Sequence, residues 1–463
     1  MRNARKSVTE RVMKNGRNAL ISVFLDISIT PKMKKFGILA IAVASVMLTG
    51  CTLGGSAENL LSPPVLYEEQ EEIYSALTES IGGNVTLQYP RSGALRSAFI
   101  IDDIDGSGED EAIAFYSVRE QVRINILDRD EDGKWQSVCD LAGSGTSIDR
   151  VQIASIGSTK RTSIIVGFGE SGSDKLLKVY SYDGGVVSEN YTDSYSSFFT
   201  YDLNGDGEDG LCIIRSNNEN IGRKADFSVI TDTGTQVVKK DTVALNDKAS
   251  DFVGVVLGNV GENTPAVFID ELSGGQLSTE IIYLVGDTLR NPLYLDERQM
   301  ISDTTRSKGY YSADIDLDGI TEIPTLSYFP GYDQDDRDAF IATNWNVYSN
   351  FTINKKYSSY YDIEKGFCFV LSSRWDGLVT IKRDEHNGDI VFYKYFADLL
   401  NSYTELLRIS AVTADYYDEK AENGYVWLKS RDNMHYFYKL PEASDEPLIP
   451  TTAEIVNNFY IMP

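Results

Sequence analysis

The chain has 463 residues, 42% of them hydrophobic, which is more than one core usually serves and enough for two or more structural units. Its 69 acidic against 43 basic residues give a net charge of −26, a surface that repels phosphates, so no nucleic-acid partner is expected. Two histidines, His386 and His435, are too few for a multi-histidine metal centre and weaken any Ser/His/Asp proposal.

Residues 1–50 are a basic leader with nine basic and two acidic side chains, net +7, against −33 for the rest. Met33-Lys34-Lys35 precedes the apolar run Phe36 to Leu48, which has the length of a signal-peptide h-region and is too short to span a bilayer comfortably. Leu48-Thr49-Gly50-Cys51 follows and resembles the lipobox of bacterial lipoproteins. That resemblance implies that Cys51 receives the lipid, that the leader is removed, and that the mature chain sits in the cell membrane by its anchor, on the extracytoplasmic face. Residues 1–32 stand ahead of a complete signal, as an early start codon would place them. With Cys51 lipidated, Cys139, Cys212 and Cys368 form no even disulfide framework and no metal-ligand spacing. Cys139 and Cys212 lie in or beside apolar runs and read as small buried hydrophobes.

Residues 51–83 supply a short tether and then one helix, since Ile73, Leu77 and Ile81 recur at helical spacing. From residue 84 to 357 the texture changes to short β-branched or aromatic runs divided by Gly, Asp and Asn. Five segments in this stretch align with one another. Their equivalent positions Asp103, Ser155, Asp202, Asn259 and Asp314 are 52, 47, 57 and 55 residues apart, close to one four-stranded propeller blade. Second turn signals downstream, at Asp128 to Gly133, Asp183 to Gly185 and Asp232 to Gly234, would close hairpins between the outer strands. The expectation is a mainly β fold: a β-propeller of about five to seven blades over 84–357, followed by a small α+β domain over 358–463. The run Asn84 to Tyr89 is a candidate closing strand.

The first of these loops offers Asp103, Asp105, Ser107, the Glu109 carbonyl and Glu111 at alternate positions. The fifth offers Asp314, Asp316, Asp318, the Ile320 carbonyl and Glu322. In the third, Asp202, Asn204, Asp206 and the Glu208 carbonyl are present, but Gly210 stands where the closing carboxylate belongs, so weaker binding is expected. Several hard oxygens converging without rigid geometry suit Ca2+ in a structural role. Ordinary solvated turns do not need three carboxylates at alternate positions, which repel one another unless a cation sits between them. The pattern Asp-x-Asp-x-Asp-Gly-x-x-Asp/Glu running into an apolar strand resembles FG-GAP or VCBS repeats, the integrin-α-like propellers of surface proteins, over about residues 84–355. The resemblance implies calcium loops that staple blades and are rarely catalytic. Repeats two and four depart from the pattern by lacking the acids.

Beyond residue 360, strands are expected at Gly366 to Leu371, Gly377 to Arg383, Asp389 to Tyr395, Leu407 to Val412 and Tyr425 to Lys429, with a helix from Thr452 capped by Thr451 or Thr452. Gly366, Phe367, Phe369, Trp375 and Gly377 resemble a pattern of small α+β domains in Gram-positive secreted proteins, which implies no activity. Tyr310, Tyr311, Tyr328, Phe329, Tyr332, Trp345 and Tyr348 with Asp333, Asp335, Asp336 and Asp338 read either as a groove for sugars or cationic peptides or, preferentially, as hairpin and core packing. No catalytic residue is assigned. The chain reads as a surface-anchored lipoprotein, a calcium-stabilised binding or scaffold module with a protein or carbohydrate ligand. The alternative is an extracellular carbohydrate-active enzyme of the glycoside hydrolase type.

Overall fold

The alternation of β-branched and aromatic runs with Gly and Asp turns folds into antiparallel sheets, six of which have four or five strands among the described residues. The structure, a computed structural model, describes residues 67–169, 175–295, 300–301, 304–396, 403–442 and 445–462. Cys51, its lipobox and the tether lie outside them.

Repeat one is a meander of Phe99–Asp102, Glu111–Val118, Gln121–Arg129 and Trp135–Ala142. Repeat two is Ser147–Ser155, Thr162–Gly169, Lys175–Asp183 and Val186–Tyr195. Repeat three follows as Ser197–Tyr201, Gly210–Arg215, Asp226–Asp232 and Val237–Ala244. Repeat four is Asp251–Asn259, Pro265–Ser273, Gln276–Val285 and Thr288–Arg290. In repeat five the first strand shrinks to one bridge, Ala313 to Glu322, and Ile323–Tyr328, Ile341–Ser349 and Thr352–Asp362 complete the unit. The aligned loop therefore always joins the first strand to the second. The strand after it is central and buried, as in Glu111–Val118, where residues 111–116 are all buried and both edges are paired. Between the third and fourth strands of repeats one, two, three and five, the ladder slips by one residue and leaves Val138, Asn190, Lys240 and Lys356 as the extra residue of a β-bulge.

Successive sheets bury their faces against each other. Phe115 and Ile126 of repeat one share a core with Ile164 and Tyr180 of repeat two. Ile165 and Leu177 pack with Leu211 and Ile230, Cys212 and Phe227 with Val267 and Ile282, and Phe268 and Ile281 with Ile323 and Tyr348. Side chains alternate between two neighbours because successive strand residues point to opposite faces, and the second strands of repeats one to four are buried on both. This is a mainly β, propeller-type architecture. Close approach between sheets is built into the sequence at Gly258, where an added Cβ would lie 2.1 Å from Thr321 Oγ1 of the next repeat. Thr86–Leu87 pairs with Ser117 and Tyr116, so the run Asn84 to Tyr89 extends the sheet of repeat one instead of founding a blade.

The boundary expected between 357 and 358 falls inside the strand Thr352–Asp362. The first half of that strand pairs with Ile341–Ser349, and its end pairs with Phe367–Val370, which in turn pairs with Phe459–Ile461. One strand thus serves both the fifth repeat and the C-terminal part. The last sheet runs Val379–Arg383, Ile390–Lys394, Thr404–Thr413, Met434–Lys439, Val426–Arg431 in spatial order. Its core of Phe369, Trp375, Phe392 and Phe459 is continuous with Phe329 and Tyr360 of repeat five. Thr451 caps the helix Thr452–Asn457 with a reciprocal capping box to Glu454. Cys212 and Cys368 are fully buried and Cys139 is half-buried, all three as free thiols.

Candidate metal sites

In loop one the Asp103 carboxylate accepts the Gly106 and Gly108 N–H groups at 2.8 and 3.0 Å, and Asp105 accepts the Ser107 N–H at 2.9 Å. These short side-chain to backbone bonds curl the loop, which needs left-handed backbone at Gly106 and Gly108 (φ +77° and +92°). Glu111, the first residue of the central strand, points back under the loop and accepts the Ile104 N–H at 3.0 Å. Oxygens of Asp103, Asp105 and Glu111 come within 4.8 Å of one another. Glu111 is 1% exposed, and burial, helped by the negative fields of Asp105 and Asp128, pushes its carboxyl up to about 7. Ser107 Oγ donates to the Glu109 carbonyl at 3.4 Å, so both remaining donors of the predicted set lie on the same loop. No ion pair to Asp103, Asp105 or Glu111 occurs among the described residues, and this set of hard oxygens could hold a metal ion.

Loop five has the same skeleton. Asp314 accepts the Asp318 and Gly319 N–H groups, Asp318 accepts the Ile320 N–H, and Glu322, fully buried, accepts the Ile315 N–H at 2.9 Å. Asp314, Asp316 and Glu322 also bring oxygens within 4.8 Å of one another. The electrostatics differ. Lys356 Nζ donates to Asp318 at 2.6 Å and to Glu322 at 2.8 Å and pairs with Asp316 at 2.8 Å, while Tyr357 Oη donates to Asp316 at 2.7 Å. Burial disfavours the charged form of both groups here, but hydrogen bonds from Lys356 and Tyr357 hold the Asp316 carboxyl below its usual range. Against burial, the hydrogen bonds to Asp316, Asp318 and Glu322 hold the Lys356 ammonium well above its usual range.

Loop three is curled by Asp202, which accepts the Gly205 and Gly207 N–H groups at 2.8 Å each, and Asp206 accepts the Glu208 N–H at 2.9 Å. Asn204 Nδ2 donates to Asp206 at 2.5 Å, so amide and carboxylate satisfy each other. It forms no three-carboxylate cluster of the kind found in loops one and five among the described residues. Gly210 is fixed by packing: a Cβ there would stand 2.9 Å from Val229 Cγ1, so the strand pair leaves no room for a closing carboxylate. The acid-free loops instead brace their neighbours. Gly157 N–H of repeat two donates to the Asp209 carbonyl at 2.7 Å, and Asn259 Nδ2 of repeat four donates to the Gly319 carbonyl at 2.8 Å.

Sequence reasoning missed Lys356, because a lysine in an Asn-Lys-Lys-Tyr strand carries no signal until the bulge turns it toward a loop some forty residues earlier. It also missed the buried polar groups of repeat four. Asp270 accepts four hydrogen bonds, from Arg306, Thr279, Ser312 Oγ and Ser312 N–H, and pairs at 2.7 Å with an Arg306 guanidinium that is wholly buried. Nearby on the same sheet Glu271 and Glu280 are fully buried, share Asn246 as a donor, and are pushed up by burial to about 7 and about 8. Of the predicted aromatic groove, Phe329, Trp345 and Tyr348 are core residues, and Asp333 with Asp336 closes an exposed turn. Tyr311 and Tyr328 are the well-exposed aromatics of that set, and Tyr328 stands at the rim of a cleft of about 540 Å³ beside Asn344, Ser358, Trp375 and Asn458.

No protein-family model matches the chain, and no curated protein matches it. Solved structures do match. One is a protein from Lactobacillus plantarum at 10% identity and TM-score 0.30, covering 71% of this chain and 89% of that one. Another is the periplasmic gluconolactonase of Pseudomonas aeruginosa, at 9% identity and TM-score 0.25, covering 70% and 90%. An exotype rhamnogalacturonan lyase matches at 10% identity and TM-score 0.26, covering 67% and 61%. These neighbours are β-propeller-like proteins; at such scores they say nothing of activity.

Proposed function

We propose that the chain is a lipid-anchored, extracytoplasmic binding or scaffold module whose propeller is stabilised by calcium in FG-GAP-like loops. The observation that carries the calcium part is the Asp103, Asp105 and Glu111 cluster, three carboxylates with oxygens gathered within 4.8 Å and, among the described residues, no ion pair to any of them. Such a gathering is unfavourable until a cation is supplied, and the surface of a cell supplies calcium at millimolar level. The lipid anchor rests on the lipobox-like Leu48 to Cys51. A binding role is supported by the cleft beside Tyr328, whose volume suits a small saccharide or a peptide side chain.

The hydrolase alternative finds no support at this cleft. Glycoside hydrolysis needs two facing carboxylates, whereas Asp376 is the single carboxylate lining it and pairs with Lys355 at 3.5 Å. The purified mature chain, incubated with cell-wall and plant glycans, should retain a ligand without releasing product. Product release that survives purification to homogeneity would replace the binding reading with an enzymatic one.

A further inference from the structure

Two acidic loops share one skeleton, yet they are neutralised differently, and the difference traces to a single position on the fourth strand. In four of the five repeats this strand carries a bulge at the same place in its ladder. The bulged residue is Val138 in repeat one, Asn190 in repeat two, Lys240 in repeat three and Lys356 in repeat five. A bulge re-aims the side chain of its extra residue and is a fixed feature of a strand pair. In repeat five it delivers an ammonium whose contacts reach Asp316, Asp318 and Glu322, at 2.8, 2.6 and 2.8 Å. An ammonium has three donors and no acceptor capacity, so these contacts use it fully. In repeat three Lys240 pairs with Asp287 at 3.3 Å and not with its own loop. In repeat one Val138 packs into the core shared with repeat two and has no charge to offer.

We infer that Lys356 is a tethered cation that takes the place of a metal ion in loop five, so that of the two clustered loops only loop one depends on calcium. The inference rests on reading both as metal-type loops and divides the role between them. A tethered ammonium competes at very high effective concentration because it is held by the fold itself, whereas calcium must be drawn from solution. Displacing it would also strand a lysine beside a fully buried Glu322. Loop five is therefore locked in any calcium concentration, and loop one is the calcium-responsive staple.

The test is calorimetric titration of the metal-free mature chain with calcium chloride, with thermal melting of each variant. The wild-type chain is expected to take up one calcium ion. Lys356→Met, which keeps the length of the side chain and removes its charge, is expected to take up two, to melt lower than wild type in chelator, and to recover with calcium. Adding Asp316→Asn to Lys356→Met should remove the second site. Asp314→Asn in the otherwise natural chain should leave the calcium stoichiometry unchanged. Two sites in the natural chain, one of them lost on Asp314→Asn, would overturn the inference, as would a folded Lys356→Met that gains no site. If Lys356→Met does not fold, the Asp314→Asn titration decides alone. A natural chain that binds no calcium while Lys356→Met binds one would refute calcium at loop one and leave the role of Lys356 standing.

Discussion

Replacing Asp270 should be among the most destabilising single changes in the chain. Its carboxylate holds the Arg306 guanidinium at 2.7 Å with both side chains at 1% exposure or less, and it also fixes Ser312 and Thr279. Arg306 and Ser312 lie in the segment that leads into loop five, so the pair ties repeat five to repeat four. Asp270→Ala leaves a buried guanidinium without its counter-charge, at a cost of about 3–5 kcal/mol. For a cooperative unit of some 390 residues, an unfolding entropy of about 2.1 cal/mol/K per residue converts that to a fall of roughly 4–6 °C in melting temperature. Removing both partners with Asp270→Leu and Arg306→Met should recover much of the loss, because apolar replacement of a whole buried pair is often neutral. Calorimetric melting of the single and double variants checks this. A single variant costing under about 1 kcal/mol would show that water reaches the pair and that burial reasoning fails at this junction.

Glu271 and Glu280 are predicted to make stability fall with rising pH. Their folded values of about 7 and about 8 lie above that of an unfolded glutamate, so the folded state holds extra protons. The contribution is complete below about pH 4 and is lost as pH climbs through 7 to 8. Replacing both by Gln should raise the melting temperature at pH 8 relative to pH 6 and flatten the profile between those values by about 3–4 kcal/mol; an unchanged slope would contradict their burial as acids. Gly258→Ala should cost about 1–3 kcal/mol through overlap with Thr321 Oγ1 and be largely rescued by Thr321→Ala, as read by urea unfolding midpoints. Cys51→Ala should move the protein from the membrane fraction to the medium or leave it unprocessed, and lipid-labelled mature protein in that variant would rule out the anchor.

The repeat was legible because its register is written in turns. Asp-x-Asp-x-Asp-Gly positions the loop, and the apolar run after it must be a central strand, so Glu111–Val118 and Thr162–Gly169 fall where the alignment puts them. Loops one and five were legible as clusters for the same reason, since curling by Asp103 and Asp314 follows from local hydrogen bonds. What depends on contacts between distant strands was not. The short strand Thr86–Leu87 finds its place only against Ser117 and Tyr116, and Thr352–Asp362 pairs with Ile341–Ser349 on one edge and Phe367–Val370 on the other within one sheet, although nothing in Tyr357 or Ser358 announces it. Met434–Lys439 was missed although it closes a tight hairpin with Val426–Arg431 across Asp432 and Asn433, and its other edge is set by Thr404–Thr413. The charge partner of loop five required a bulge on a strand some forty residues later, and Arg306 reads in isolation as one more surface cation.

The most direct test of a calcium-stabilised propeller is the melting temperature of the mature chain in about 1 mM calcium and in chelator, for the natural sequence and for Asp103→Ala. With an extracellular-module affinity of about 0.1 mM, mass action gives about 1.4 kcal/mol for the single responsive site. The natural chain should then melt about 1–2 °C higher in calcium, and Asp103→Ala should melt at one temperature in both solutions. Identical melting of the natural chain in calcium and in chelator would mean that loop one is a solvated turn and that no calcium staples this propeller.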